Sequence, residues 1–227
     1  MPGAEWPQRW LRERLGYEPR DANLFASALT HRSSSSRNNE RLEFLGDAVL
    51  NLLVAELLFQ SYPDADEGDL SRLRARVVSR EPLAEVAAGI GLGDELQLGS
   101  GELKSGGFRR QSILADALEA VCGALYLDAG LAITTRVVTQ LFGERIAALP
   151  APATLKDAKT RLQEYLQGRG LQLPAYELQR TEGSAHEQTF WVSCTVSALG
   201  QRATGRGSSR RRAEQDAAEQ VLRQIEP

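Results

Sequence analysis

The chain has 227 residues, 42% of them hydrophobic and 25% charged, the balance of a folded globular protein and too apolar for a disordered one. Charges interrupt every hydrophobic run, and the amphipathic start MPGAEWPQRWLRERLG has no apolar core; neither a membrane span nor a secretory signal is expected, and a cytoplasmic location is. The formal net charge of −3 hides an asymmetry, with −5 over residues 1–153 and +2 over residues 154–227.

Before residue 150 nearly every segment reads helical. Glu40–Phe59 places Leu42, Leu45, Val49, Leu52 and Leu53 close to helical spacing, and Leu70–Val78 follows with Asp69 as its expected N-cap. Pro82–Gly89 and the Ala- and Leu-rich Ile113–Ala129 complete an expected all-α domain over residues 1–149. Residues 150–153 (Pro-Ala-Pro-Ala) read as a stiff linker, because proline favours extended backbone. Beyond it, Leu155–Gln167 reads as a helix stopped by Gly168 and Gly170. Tyr176–Thr181, Gln188–Ser197 and Gln201–Gly205 read as strands, the second with the period-two alternation of a half-buried one, and Ser208–Gln224 as a serine-capped helix. Residues 154–227 are therefore expected to fold as α-β-β-β-α, with both helices on one face of an antiparallel sheet.

Glu40, Glu43 and Asp47 stand at i, i+3 and i+7 in ERLEFLGDAV, within an arc of about 60° on a helix. Leu42, Phe44, Leu45, Ala48 and Val49 surround them, so the carboxylates are expected to be partly buried. Taken alone, such a triplet is more often a solvated acidic face. A second pair, Asp116 and Glu119 in ILADALEAVCGALYL, changes the weighing: that helix is otherwise apolar and carries no lysine or arginine. Buried like charges repel and demand compensation. A hard divalent cation such as Mg²⁺ supplies it, since it prefers carboxylate oxygens and needs few protein ligands. Such a site requires the two helices to pack side by side, and a metal there would lower the pKa of a bound water and neutralise charge on a phosphoryl group.

Other chemistries lack their residues. Cys122 and Cys194 form no CxxC pair, GSGELKSGG (99–107) fails the phosphate-loop pattern, and the two histidines, His31 and His186, belong to no metalloprotease or nucleophile-elbow motif.

ERLEFLGDAV closely resembles the signature of the ribonuclease III family, and the α-β-β-β-α tail resembles a double-stranded RNA-binding domain. DEGDLSRLRARVVS (66–79), GELKSGGFRRQSILADALEA (101–120) and KTRLQEYLQGR (159–169) look like the bacterial members, so the resemblance covers almost the whole chain. It implies that Asp47 and Glu119 are the positions most tied to catalysis and that Glu43, Asp116 and Glu119 hold Mg²⁺, with Mn²⁺ able to replace it. Glu40 and Glu67 match auxiliary acidic positions. The family works as a homodimer, and Phe44 matches an aromatic residue inserted into the partner subunit; the alternative for Phe44 is an ordinary core phenylalanine. The resemblance also implies hydrolysis of double-stranded RNA to 5′-phosphate and 3′-hydroxyl ends, in precursors of ribosomal RNA and some messenger and transfer RNAs.

Duplex RNA is recognised by shape, 2′-hydroxyls and phosphates. Three contact zones are expected: Thr160, Gln163, Glu164 and Gln167 on the first helix of the tail; the loop 183–188 with His186; and Ser209, Arg210 and Arg211, beside Ser208 and Arg212, at the start of the last helix, where amides and guanidinium groups favour phosphates. The competing reading is a non-catalytic double-stranded-RNA-binding regulator with the same fold.

Overall fold

The computed structural model describes residues 6–150, 157–184 and 187–225, and the chain divides into two compact units between residues 150 and 151. Residues 151–153 of the expected linker and the expected helix start at Leu155 lie outside the described residues.

The first unit is helical. In chain order it contains α1 (Gln8–Leu15), α2 (Ala22–Ala28), α3 (Glu40–Ser61), α4 (Glu67–Val78), α5 (Arg80–Gly89), α6 (Leu92–Glu95), α7 (Ser100–Lys104), α8 (Gln111–Ala129) and α9 (Leu131–Ala147). The axis is α8. Every residue from Ile113 to Leu125 is buried except Asp116 and Glu119, so the two acids face the one side of this helix that neighbours leave open. α3 packs along α8, with α2, α5 and α9 also against it. α4 starts earlier than the sequence suggests, at Glu67. Asp66, not Asp69, is its cap, accepting the Asp69 N–H at 2.7 Å. Asp69 is buried and bonded to Arg72 at 2.6 Å, because a position inside the first turn can still reach a guanidinium at i+3.

One parallel bridge joins Thr30 to Gln97, with the His31 N–H donating to the Gln97 carbonyl at 3.0 Å and the Gln97 N–H to the Leu29 carbonyl at 2.8 Å. It ties the segment entering α3 to the segment entering α7.

The second unit is α10 (Ala158–Gln167), β1 (Ala175–Glu182), β2 (Thr189–Val196), β3 (Gln201–Gly207) and α11 (Arg210–Ile225), with the sheet antiparallel in the order β1-β2-β3. Val192 and its period-two partners Cys194 and Val196 are buried. Cys194 and Val196 join Leu162 and Leu166 of α10 and Ala217, Ala218, Val221 and Leu222 of α11 in one core. Gly170, at φ 65°, makes the turn after α10, and the Leu171 N–H returns to the Leu166 carbonyl at 2.9 Å. Gly168 keeps helical angles and does not itself break the helix. The serine cap of α11 is Ser209, whose hydroxyl accepts the Arg212 N–H at 3.2 Å.

α11 lies directly on β3 at Gly205, where an added Cβ would stand 2.1 Å from the Ala217 nitrogen and 2.4 Å from the Ala213 carbonyl oxygen. Both obstacles are backbone, so no rotamer change relieves the clash. Gly205→Ala is expected to destabilise this unit by about 2 kcal/mol or more, read as an earlier urea transition in Trp191 fluorescence while the helical unit keeps its own transition.

Candidate active site

The carboxylates are gathered by two glycines. At Gly46 of α3 a Cβ would lie 1.7 Å from the Glu119 carbonyl oxygen, and at Gly123 of α8 it would lie 2.4 Å from the Leu42 carbonyl oxygen. Only hydrogen fits at either place, so the two backbones touch at the level where the acids emerge. Glu43, Asp116 and Glu119 then present carboxylate oxygens that all lie within 4.8 Å of one another.

Asp47 stands one turn beyond Glu43, outside that group and exposed. Its carboxylate accepts a bond of 2.8 Å from the Asn51 side-chain amide, and its charge is the strongest ionic influence on Glu119. Glu40 is also exposed, held by Arg32 at 3.4 Å and Asn38 at 3.2 Å. The expectation that the whole triplet is partly buried therefore holds for Glu43 but not for Glu40 or Asp47, which α8 does not cover. Glu67, bonded to Ser71 at 2.9 Å, begins α4 and is not among the gathered carboxylates. Phe44 is 83% exposed, which overturns the core-phenylalanine alternative. Asn51 was missed in the sequence; its signal was a lone amide at i+4 from an acid in an apolar run.

Burial, then the charges of Asp47, Asp116 and Glu43, push the Glu119 carboxyl up to about 7. Burial and the neighbouring Asp116 raise Glu43. Asp116 is raised by burial, against the opposing pull of Arg80, His31 and Arg32. These cations come from other segments, since α8 carries no lysine or arginine, and none of them is among the influences on Glu119. Glu43 and Asp116, with Glu40 and Glu102, line a cleft of about 550 Å³ that also holds Arg32, Asn39 and Arg110.

Three converging carboxylates with no histidine or thiolate among them suit a hard divalent cation of the Mg²⁺ or Mn²⁺ kind. Cys122 on α8 is no ligand, because complete burial pushes its thiol up to about 12.

An ordinary glutamate titrates near 4.5 and folded Glu119 near 7. With the folded value raised, stability present below about 4.5 is lost as pH rises through about 7. In chelator, Glu119→Gln is therefore expected to melt higher than the wild type at pH 8. The gap should shrink toward pH 5, and added Mg²⁺ should raise the wild-type midpoint more than the variant's; thermal scans at both pH values check this.

In the second unit Gln163, Glu164 and Gln167 are exposed on α10, while Thr160 is half-buried and its N–H is capped by Asp157 at 2.9 Å. α10 is tied to α11 by Lys159 on Glu214 and by Arg161 on Glu219 at 3.2 Å. These pairs join the first turn of α10 to α11, whose start carries Arg210 and Arg211. There Arg210 is bonded to Glu214 at 3.1 Å, and Arg211 is 83% exposed, 4.0 Å from Asp157. Ser209 is engaged as the cap. His186 lies outside the described residues.

A family model described as ribonuclease-III-like matches residues 21–146, and one for the double-stranded RNA binding motif matches residues 158–225. The chain is 55% identical over 212 residues to ribonuclease 3 of Pseudomonas fluorescens, covering 93% of each chain. It is 49% identical over 219 residues to ribonuclease 3 of Vibrio vulnificus, covering 96% of this chain and 97% of that one. The nuclease domain of ribonuclease III from Campylobacter jejuni superposes with a TM-score of 0.60 at 42% identity, covering 64% of this chain and 99% of the domain. A second structure of that domain, described for flexibility in a region involved in dimer formation, has a TM-score of 0.58 at 46% identity, covering 60% of this chain and 95% of the domain. With both units matched in order and nearly the full length aligned, the chain belongs to the ribonuclease III family of double-stranded RNA endoribonucleases.

Proposed function

We propose that this chain is a Mg²⁺-dependent nuclease that cuts double-stranded RNA at Glu43, Asp47, Asp116 and Glu119. The observation that carries the reading is the convergence of three carboxylates within 4.8 Å, with Glu119 pushed up to about 7. Burial and three neighbouring carboxylates act on Glu119 in one direction, and a divalent cation would offset them.

Glu43, Asp116 and Glu119 are the residues that would hold the metal, through carboxylate oxygens. When bound, Mg²⁺ supplies the Lewis acid that makes water a nucleophile near neutral pH and offsets charge on the reacting phosphate. Asp47, steadied by Asn51, orients the attacking water from the next turn of α3. The water oxygen bonds to phosphorus as the bond from phosphorus to the 3′ oxygen breaks; the water gives up a proton and the departing 3′ oxygen takes one up, giving 5′-phosphate and 3′-hydroxyl ends. Glu40 and Glu67 act as auxiliary acids.

The second unit brings the duplex. Thr160, Gln163, Glu164 and Gln167 address 2′-hydroxyls, Ser209, Arg210 and Arg211 address phosphates, and His186 addresses a second minor groove; contacts of this kind select shape over sequence. The substrates are paired stems of ribosomal RNA precursors and structured messenger and transfer RNAs, and the compartment is the cytoplasm where these are made. No described helix is long and apolar enough to cross a membrane.

The working form is a homodimer, each subunit cutting one strand. Phe44, Leu52 and Phe59 are all strongly exposed on α3, and their i, i+8, i+15 spacing puts them within about 80° of one another. Such an apolar stripe fits a second copy of the chain. Phe44→Arg is expected to move the protein from dimer to monomer in sedimentation equilibrium.

The decisive experiment incubates the full chain with a perfectly paired RNA in Mg²⁺, Mn²⁺ or chelator, beside Glu119→Gln. Cutting is expected only with metal and should fall at least about 100-fold in the variant, while gel-shift binding persists. Binding by the wild type without metal-dependent cutting would remove the nuclease reading. No observation favours the non-catalytic regulator.

A further inference from the structure

The cleft beside the carboxylates must accept a polyanion, yet Glu40, Glu43, Glu102 and Asp116 all line it. A single metal at Glu43, Asp116 and Glu119 offsets the charge under the phosphate being cut. It leaves the neighbouring phosphates of the strand facing acids. Among the described lining residues only Arg32 and Arg110 carry a permanent positive charge.

Both arginines are aimed by glutamates. Glu102 holds the Arg110 guanidinium at 2.9 Å, and Arg110 also donates to the Ser105 hydroxyl at 3.3 Å. Glu40 holds Arg32 at 3.4 Å. A guanidinium has five donors in a planar fork, so one edge can rest on a carboxylate while the other stays open to a phosphate. The two side chains are 46% and 70% exposed, for Arg110 and Arg32 respectively.

Their supports are also joined. The Thr30–Gln97 bridge links the segments that carry Arg32 and Glu102. The Ser33 hydroxyl accepts the Gly99 N–H at 2.9 Å, and a Cβ at Gly99 would stand 2.3 Å from the Ser33 carbonyl oxygen. Arg110 immediately precedes α8, six residues before Asp116 and so about 9 Å along the helix axis from it. The cation is thus displaced from the metal ligands by more than one group, as a contact to a neighbouring phosphate requires.

We propose that Arg32 and Arg110 are substrate-binding residues, holding the phosphates that flank the cleaved one, with Glu40 and Glu102 setting the direction of each guanidinium. This rests on the nuclease reading above. Surface ion pairs of ordinary kind stabilise little and bind nothing, and the difference is measurable.

Arg32→Ala, Arg110→Ala and Arg110→Lys, each in the full chain, are compared with the wild type on a perfectly paired RNA. Duplex affinity is measured over a range of salt in the Glu119→Gln background, so that no cutting intervenes. Each alanine variant should lower the slope of log affinity against log salt by about 1. It should reduce kcat/KM roughly tenfold, chiefly through KM. Arg110→Lys should keep the slope and lose part of the affinity, because the charge survives and the fork does not. An unchanged slope would overturn the proposal, and so would lost activity that tracks a lowered melting midpoint. If the wild type binds duplex RNA without cutting it, the nuclease reading fails, and the salt slopes still decide the role of the arginines.

Discussion

The first unit depends on two helices touching backbone to backbone. Gly46 and Gly123 leave α3 and α8 so close that a methyl group at either position would overlap a carbonyl of the other helix. Helices normally pack with axes roughly 8–10 Å apart, spaced by side chains. Removing the spacer brings the carboxyl groups of Glu43, Asp116 and Glu119 within reach of a single ion. The rest of the helical unit packs around α8 and fixes that approach.

The electrostatic consequence follows from burial. α8 is enclosed on all sides except the one carrying Asp116 and Glu119, so these groups lose hydration without gaining partners on their own helix. Glu119 responds most, having burial and three neighbouring carboxylates acting in the same direction. Asp116 is partly relieved by Arg80, His31 and Arg32. Repulsion among these carboxylates is therefore greatest when all are ionised, and a divalent cation bound to them would stabilise the fold through the same interactions. Function and local instability have one cause here.

The second unit solves a different problem with a different charge pattern. Its net charge is small, and many cations are already engaged, as Lys159 and Arg161 are with glutamates of α11. Those pairs join the first turn of α10 to α11, and Arg211 lies 4.0 Å from Asp157, the cap of α10. An overall charge of −3 is thus compatible with an RNA partner, because phosphates respond to charge within about a Debye length.

Much of this was legible in the residues. Period-two alternation marked β2, helical spacing marked α3 and α8, and two acids in an apolar run marked the centre, since local periodicity and burial preference are written along the chain. Helix ends were less legible, as at α4, where three acidic residues in DEGD compete to cap and only the backbone geometry selects Asp66. The sequence by itself determined the α then α-β-β-β-α order and the carboxylates available for chemistry. The tertiary structure alone decided which carboxylates converge, that Glu40 and Asp47 remain exposed, and that Phe44 faces outward. Those outcomes depend on contacts between residues some seventy positions apart, and on glycine contacts whose meaning appears only when the opposing helix is in place.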